Sequence, residues 1–294
     1  MSEANDARCP VCGGAALKRY FGLDGWTFAG CRACGHHFGH GGREEAEALG
    51  DLYHHDYSGF RDDPVFQRSV RERIAQDFVP RVPAGGAVLD VGCGNGEFLA
   101  AAAEAGYRPF GIDLSPAAAE LCRARGLDAV SGDFLSADLP GPFQAVTMWD
   151  VLEHLPDPTA FARRARELLA PGGVLVMKVP TVGAWAFRVV GLAPRRLAGS
   201  VLQAPAHIQF FTRESMDLLA RNAGFAGVEQ RAIPGMRGSP PARRSLLRSA
   251  KRAVLRGIQR VGGRQQMYVW MTAPGARGDA SPAERRERAG VVGG

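Results

Sequence analysis

Residues 87–98 read AVLDVGCGNGEF, and this stretch decides how the rest of the chain is interpreted. Its apolar opening predicts a buried β-strand that ends near Asp90. Glycines follow at positions 92, 94 and 96, and the alanine-rich segment 97–105 then predicts a helix. The stretch is therefore predicted to be a strand, a tight turn and a helix N-terminus, a junction where backbone N–H groups face a ligand.

The same stretch argues against a dinucleotide as that ligand. The G-x-G-x-x-G fingerprint requires a third glycine where this chain has Glu97. Asp90 lies at the predicted carboxyl end of the strand, where it would repel a pyrophosphate and attract a cationic group. Such a group is the amino group of S-adenosylmethionine. The stretch closely resembles the first motif of class I S-adenosylmethionine-dependent methyltransferases.

The resemblance implies an α/β fold, a seven-stranded Rossmann-like sheet with strand order 3-2-1-4-5-7-6 and an antiparallel last strand. We expect its strands after the first at residues 108–112, 128–130, 143–149, 174–179, 227–233 and 265–272. Pro180 is expected to end the fifth strand. A helix is predicted over residues 64–78, ahead of the sheet, from the spacing of its apolar positions.

The resemblance also implies the cofactor residues. An acid at the tip of the second strand, here Asp113, binds the ribose hydroxyls in the family. An acid after the third strand, here Asp133, binds the adenine amino group, with Phe134 beside the ring. The full predicted cofactor set is Asp90, Gly92, Cys93, Gly94, Gly96, Asp113, Leu114, Asp133, Phe134 and Trp149.

A second motif indicates the branch of the family. Residues 150–158 read DVLEHLPDP and resemble the small-molecule methyltransferases of the ubiquinone-biosynthesis type. The L-x-P-G-G turn at 169–173 and the H-x-x-F-F-T pattern from His207 are similar to the same branch. His154 and His207 are the candidate catalytic bases. We expect no metal-ligand set in this domain, and Cys93 and Cys122 are expected to be buried thiols.

Four cysteines near the N-terminus predict a separate metal site. They form two C-x₂-C pairs separated by 18 residues, a spacing typical of a four-cysteine zinc ribbon. The predicted ligands are Cys9, Cys12, Cys31 and Cys34. A closed site of this kind stabilises a fold and has no catalytic role. His36, His37 and His40 are substitute ligands that a complete cysteine set makes unnecessary.

The charge of the chain is unevenly distributed. Residues 237–264 contain nine Arg or Lys and no Asp or Glu, and subtracting nine from the net charge of +6 leaves −3 for the rest. This segment predicts an amphipathic basic helix that packs on the sheet or contacts an anionic membrane surface, a phosphate-bearing substrate or RNA. The acidic remainder makes nucleic acid the less favoured partner.

These observations predict the organisation of the chain. We expect a zinc ribbon at 1–40, a connector and leading helix at 41–80, a methyltransferase domain at 81–273, and a disordered tail at 274–294. Within the domain, residues 181–206 are predicted to form a substrate lid and residues 240–262 a basic helix insertion. The chain shows no signal-peptide core or membrane-spanning apolar run, so a cytoplasmic protein is expected, with peripheral membrane contact left open.

The leading functional interpretation is methyl transfer to a small-molecule acceptor: a sugar, a lipid-linked compound or a secondary metabolite, at a hydroxyl or a carbon. Two alternatives stay open. One is an rRNA or tRNA methyltransferase that binds RNA through the ribbon and the basic helix. The other is a non-catalytic module that only binds the cofactor. The sequence indicates no oligomeric state.

Overall fold

The structure is a computed structural model that describes residues 7–41, 64–182, 187, 199, 202–233 and 264–275. Most of the predicted lid, the whole basic helix insertion and nearly all of the predicted tail lie outside these residues, as does the segment 42–63. Among the helices of the described part, none is long and apolar enough to cross a membrane.

Two sheets organise the described residues. The smaller contains β1 (Leu17–Leu23), β2 (Trp26–Cys31), β3 (His37–His40) and β9 (Gln209–Phe210), in the order β1-β2-β3-β9. The larger contains β4 (Ala87–Val91), β5 (Arg108–Asp113), β6 (Ala129–Ser131), β7 (Phe143–Trp149), β8 (Leu169–Val182), β10 (Gly227–Ile233) and β11 (Arg264–Thr272). Its order is β10-β11-β8-β7-β4-β5-β6.

The larger sheet confirms the predicted topology. With β4 as the first strand, the order read from β6 is 3-2-1-4-5-7-6, and β11 runs antiparallel to both of its neighbours. The central strands are parallel and apolar, as strands buried on both faces must be. Their carboxyl ends therefore meet at one edge, on either side of the switch point between β4 and β7, where open α/β sheets bind ligands.

Five α-helices have their bounds within the described part of the chain and connect or flank the strands: α1 (Pro64–Arg73), α2 (Glu97–Glu104), α3 (Pro116–Ala124), α4 (Pro158–Leu168) and α5 (Arg213–Asn222). Side chains that cap the N-termini explain where three of these helices begin. Ser115 and Asp157 cap α3 and α4 with their side chains, each with a proline in the first helical turn. Thr212 and Ser215 form a reciprocal capping box at α5.

The predicted bounds of the fifth strand are wrong, because β8 begins at Leu169 rather than at Val174. Pro180 does not end the fifth strand, because β8 continues to Val182 and Pro180 pairs with Gln266 of β11. The pairing of β8 with β7 ends at Lys178. Pro180 lacks an N–H, but at its position β8 makes no hydrogen bond to β7 that this would remove. The leading helix has its predicted extent, and its last residues, Ile74–Phe78, form a π-helical turn after α1.

The ribbon is built on a hairpin whose sheet reaches into the larger domain. β1 pairs with β2, and β2 with β3, all antiparallel. β3 then pairs with β9, whose residues lie about 170 positions later in the chain. The N-terminal module and the larger domain therefore share one sheet rather than being joined only by a linker.

Candidate functional site

The glycine turn after β4 has a backbone conformation that favours glycine at three positions. Gly92, Gly94 and Gly96 all have φ between 52° and 82°, a region that L-residues with side chains rarely adopt. A Cβ on Gly92 would approach Val151 to 2.7 Å, and one on Gly96 would approach Leu127 to the same distance. A Cβ on Gly94 would meet no described atom within 4 Å, because this glycine faces open space.

Asp113 holds the glycine turn to the second strand. Its Oδ2 accepts a hydrogen bond from the backbone N–H of Gly94, and its Oδ1 accepts one from Ser115, both at 2.9 Å. Burial raises the pKa of this carboxyl above its usual value, and the two N–H donors counteract that shift. The side chain is thereby fixed at the tip of β5, where ribose hydroxyls are predicted to bind.

Asp90 is buried among its neighbours rather than exposed at the end of its strand. Thr147 donates a 2.6 Å hydrogen bond to its Oδ1. Burial raises the pKa of Asp90 to about 8, with the nearby charges of Asp113 and Glu97 acting in the same direction and the Thr147 hydrogen bond opposing them. Without a cationic ligand, this carboxyl is therefore protonated in much of the population at neutral pH.

The residues after β6 form a second edge of the site. Asp133 accepts hydrogen bonds from the backbone N–H of Leu135 and from the hydroxyl of Ser136, which fixes the turn. Phe134 is buried against Phe161, with ring centroids 5.4 Å apart. The turn therefore places a carboxylate and an aromatic ring side by side, the pair predicted for an adenine.

His154 and His207 meet although 52 residues separate them in the chain. Their ring centroids lie 4.8 Å apart in an edge-to-face arrangement. Nδ1 of His154 lies 2.8 Å from the carbonyl oxygen of Ala206. Because a carbonyl only accepts, Nδ1 carries the proton and Nε2 keeps its lone pair. Burial lowers the pKa of His154, so the ring is neutral at physiological pH.

Glu153 joins this histidine pair, which the sequence analysis did not anticipate. Its carboxylate is buried, and one ligand atom from each of Glu153, His154 and His207 lies within 4.8 Å of the others. Three oxygen and imidazole donors at this separation can hold a divalent cation with open coordination positions. The sequence analysis did not expect three potential metal-ligating side chains to meet in this domain.

Lys178 is a second residue that the sequence analysis missed. Its side chain is only 4% exposed and forms an ion pair with Asp150, which has a positive φ of 55°. The backbone N–H of Asp150 also donates to the carbonyl of Lys178. The sequence did contain a signal for this residue, since Lys178 is the single charged residue in the apolar strand VLVMKVP. A lysine is rarely buried in such a strand unless it has a charged partner.

One cavity of about 1010 Å³ brings these groups together. Every predicted cofactor and catalytic residue lines it except Gly96, which packs against Leu127 and Cys122. Apolar side chains from the leading helix and the π-helical turn also line it and were not predicted, namely Phe66, Val70, Ile74 and Phe78. Cys93 and Cys122 are buried, as expected.

The cavity fits S-adenosylmethionine on structural grounds. The missing Cβ of Gly94 leaves the turn open to a ligand, and Asp90 gives a buried acid that a cationic group would ionise. Asp113 and Asp133 present carboxylates at successive strand ends. These residues match, in order, the amino, ribose and adenine parts of the cofactor, although their individual roles stay predictions.

The four N-terminal cysteines converge at the edge of the ribbon. Their sulfur atoms lie within 4.8 Å of one another, with Cys9 and Cys34 at 3.6 Å and Cys12 and Cys31 at 3.5 Å. A tetrahedral zinc ion with Zn–S bonds of about 2.3 Å requires sulfurs roughly 3.8 Å apart. The cluster therefore fits a Cys₄ site. His36 and His37 are not part of it, since their imidazoles contact Gln209 and Tyr20.

Comparison with known proteins agrees with this geometry. Residues 66–230 match the protein family described as "Methyltransferase domain". The chain is 35% identical over 177 residues to a ubiquinone biosynthesis O-methyltransferase of Xanthomonas axonopodis pv. citri, covering 57% of this chain and 72% of that protein. It is 42% identical over 118 residues to the enzyme of the same name from Xanthomonas oryzae pv. oryzae, covering 37% of this chain and about half (49%) of that protein.

Solved structures show the same fold at low identity. A Haemonchus contortus phosphoethanolamine N-methyltransferase 2, crystallised with phosphomonomethylethanolamine and S-adenosylhomocysteine, gives a TM-score of 0.55 at 19% identity, over 70% of this chain and 52% of that one. An Archaeoglobus fulgidus SAM-dependent methyltransferase gives 0.51 at 18% identity, over 74% of this chain and 100% of that one. With the glycine turn and the strand-end acids, the family match over residues 66–230 and the 35% identical relative show that the chain belongs to the methyltransferase domain family, as a class I S-adenosylmethionine-dependent methyltransferase.

Proposed function

We propose that this enzyme transfers a methyl group from S-adenosylmethionine to a small-molecule acceptor, at a hydroxyl or a carbon. The observation that carries the proposal is the single cavity that the glycine turn shares with Glu153, His154 and His207. Drug-sized ligands occupy pockets of roughly 300–1,000 Å³. A cavity of about 1010 Å³ has room for the cofactor and for an acceptor of modest size.

The predicted cofactor residues divide the cavity into two halves. When bound, S-adenosylmethionine supplies an electrophilic methyl group on a sulfonium. The turn at Gly94 and the carboxyl of Asp90 bind its methionine end, Asp113 holds the ribose, and Asp133 with Phe134 holds the adenine. The acceptor then occupies the other half of the cavity, which is lined by the residues that follow β7 and by residues of β8.

His154 is proposed as the general base of the acceptor half. Its Nδ1–H is engaged by the carbonyl of Ala206, so Nε2 is the atom that accepts the proton of an acceptor hydroxyl. His207 lies against the same ring and orients the acceptor. The ion pair of Lys178 with Asp150 lines the same half and gives it polar groups that position the acceptor.

The relatives favour a hydroxyl as the acceptor group. Both curated relatives described above are named O-methyltransferases, and the first is covered over 72% of its length. The apolar side chains of Phe66, Val70 and Ile74 line the same cavity and suit an acceptor with an apolar portion. A sugar, a lipid-linked compound or a secondary metabolite with such a portion is the proposed acceptor class.

The proposal is tested by incubating the purified protein with S-adenosylmethionine labelled on its methyl group and with fractionated cell extracts. We expect the label in the small-molecule or lipid fraction, and little of it with His154→Gln. Label in the RNA fraction would contradict the acceptor class and support the RNA alternative. Cofactor binding without transfer to any fraction would support the non-catalytic alternative.

We further propose that Cys9, Cys12, Cys31 and Cys34 hold a structural zinc ion. The support is the sulfur spacing, together with two matching loops in which Gly13 and Gly35 donate to the carbonyls of Cys9 and Cys31. Because the ribbon is too small to form a large core of its own, the metal would add to the stability that it gains by packing on the larger domain. The proposed zinc is structural, since four thiolates leave no open coordination position.

A further inference from the structure

The ribbon is bonded to the strand that follows His207. β3 and β9 are paired antiparallel, with His37 opposite Phe210 and Phe38 opposite Gln209. The backbone N–H of Gly39 also donates to the carbonyl of Ile208 at 2.8 Å. β9 has only two residues, and a strand that short is stable only against its neighbours. The ribbon therefore helps to hold this part of the active-site wall, together with the bridge between Thr181 of β8 and Phe211.

Gln209 connects the ribbon to the loop that carries the acceptor-side residues. Its side chain is 1% exposed. Its Oε1 accepts a 2.8 Å hydrogen bond from Nε2 of His36, and its Nε2 donates a 2.8 Å bond to the carbonyl of Leu155. Next to it, the N–H of Ile208 donates to the carbonyl of Glu153 at 2.8 Å. Two adjacent residues thus fix the backbone on both sides of His154.

The loop that carries the first cysteine pair is docked on the same domain. The hydroxyl of Thr159, at the start of α4, donates to the carbonyl of Pro10 at 2.9 Å. The amide of Asn222, at the end of α5, donates to the carbonyl of Val11 at 2.7 Å. Cys9 and Val11 are buried in one apolar cluster with the interior of the larger domain. The metal-binding end of the ribbon is therefore part of the interface.

The opposite face of the ribbon sheet holds two residues of the segment 181–206. Phe187 is fully buried against Phe21, His37 and Phe210. Leu202 is buried in the same cluster, together with Trp26 and Phe28. The segment predicted to cover the substrate is thus anchored on the ribbon at both of these described positions.

From these contacts we infer that the ribbon is a structural part of the acceptor half of the active site, and that Gln209 is the positioning residue that transmits its placement to His154. The inference rests on the proposed methyl transfer. The cysteine-bound metal holds the ribbon in shape, β3 orders β9, and Gln209 with Ile208 fixes the loop 152–156. The side-chain hydrogen bonds of Gln209 and the backbone hydrogen bonds of Ile208 go to residues 36, 39, 153, 155 and 156, all of which lie outside the strands β4 to β6 that build the cofactor half.

A matched pair of variants tests the inference. Gln209→Met removes the amide between His36 and Leu155 with little change in side-chain volume. Thr159→Val removes an interface hydrogen bond of the ribbon whose acceptor is the carbonyl of Pro10 and not a residue of the loop 152–156. For each variant, hydrogen exchange of the loops 152–156 and 207–211, calorimetric affinity for S-adenosylhomocysteine and the rate of methyl transfer to the active extract fraction are measured.

We expect Gln209→Met to accelerate exchange in both loops by about tenfold and to slow methyl transfer by a similar factor. Its affinity for S-adenosylhomocysteine should stay within about twofold of the parent enzyme. Thr159→Val should leave exchange in the loop 152–156 and the transfer rate unchanged. Unchanged exchange in Gln209→Met, or equal effects of the two variants, would overturn the inference.

Metal removal gives a second measurement that does not depend on substitution. Stripping the cysteine-bound metal with a chelator should expose the amides of 207–211 and then those of 152–156 to exchange, while binding of S-adenosylhomocysteine persists. Exchange limited to residues 7–41 would contradict the inference. If the untreated parent enzyme failed to bind S-adenosylhomocysteine, the proposed function would fail instead, so the two failures are distinguishable.

Discussion

The carboxylate of Asp113 accepts a hydrogen bond from the backbone N–H of Gly94 across 2.9 Å, which joins the tip of the second strand to the middle of the glycine turn. One side chain therefore shapes the turn and also presents the carboxylate that the ribose is expected to bind. A change at Asp113 should affect the cofactor more strongly than a change at any exposed acid nearby.

Asp113→Ala is expected to weaken binding of S-adenosylhomocysteine by about 10- to 100-fold, because charge-assisted hydrogen bonds each contribute about 1.5–3 kcal/mol. Isothermal titration calorimetry measures this loss. Asp128→Ala is the control, since Asp128 is exposed and lies outside the cavity. Equal affinities for both variants would exclude Asp113 from the ribose site.

Gly94 and Gly96 should respond differently to alanine. Both have positive φ, so either substitution costs about 1–2 kcal/mol of backbone strain. The new Cβ at position 94 points into open space and would occupy the cofactor cavity, whereas the one at 96 would collide with Leu127. Gly94→Ala should therefore lose mainly cofactor affinity and Gly96→Ala mainly stability, as measured by calorimetry and urea unfolding.

The raised pKa of Asp90 makes stability depend on pH. Its folded pKa of about 8 exceeds the unfolded value of 3.8, so the folded state binds the extra proton between these values. The contribution of Asp90 to stability is therefore full below pH 4 and is lost as the pH rises towards 8. Asp90→Asn should remove a decline on the order of a few kcal/mol, as measured by urea unfolding at pH 5 and pH 8.

The same ionisation should appear in cofactor binding. A cationic amino group favours the ionised carboxylate, so the affinity for S-adenosylhomocysteine should rise between pH 6 and pH 8 in the parent enzyme and rise less in Asp90→Asn. Calorimetry in two buffers of different protonation enthalpy would also detect proton release on binding. Parallel pH profiles for the two proteins would show that Asp90 does not face the cationic end of the ligand.

His154→Gln should reduce the rate of methyl transfer by about 10²–10⁴-fold, the usual effect of losing a general base, with unchanged cofactor affinity. Because burial lowers the pKa of His154, activity of the parent enzyme should fall only below its usual value of 6.5. His40→Gln is the control, since this ribbon histidine lies outside the cavity. Full activity of His154→Gln would show that another group accepts the proton of the acceptor hydroxyl.

Metal analysis of the purified protein should return one zinc ion per chain, and Cys12→Ser should reduce that content and lower the stability of the ribbon. Losing one of four ligands weakens a site whose binding energy is part of the folding energy. Cys122→Ser is the matched control, because Cys122 is a buried thiol outside the cluster. A fully folded, metal-free parent protein would refute the zinc proposal.

Local sequence determined the strand, the glycine turn and the helix start around which the larger domain is built. The alternation of glycines after an apolar run, and acids at the ends of the following strands, specify a strand-turn-helix junction and its neighbours, because turn geometry and strand burial depend on adjacent residues. The cysteine spacing similarly specified a cluster that the structure forms. These short-range patterns placed Gly94, Asp113 and Asp133 after strands that line the cavity, and the family resemblance they carry implied the sheet order.

Only the tertiary structure shows which residues meet in the acceptor half of the cavity. The meeting of Glu153 and His154 with His207, the ion pair of Lys178 with Asp150, and the bridge from His36 through Gln209 to Leu155 all join distant parts of the chain. No periodicity encodes such contacts, because they arise from how strands and helices pack. The burial that raises the pKa of Asp90 has the same origin: the sequence supplied the acid, and the packing of β4 against β7 set its charge.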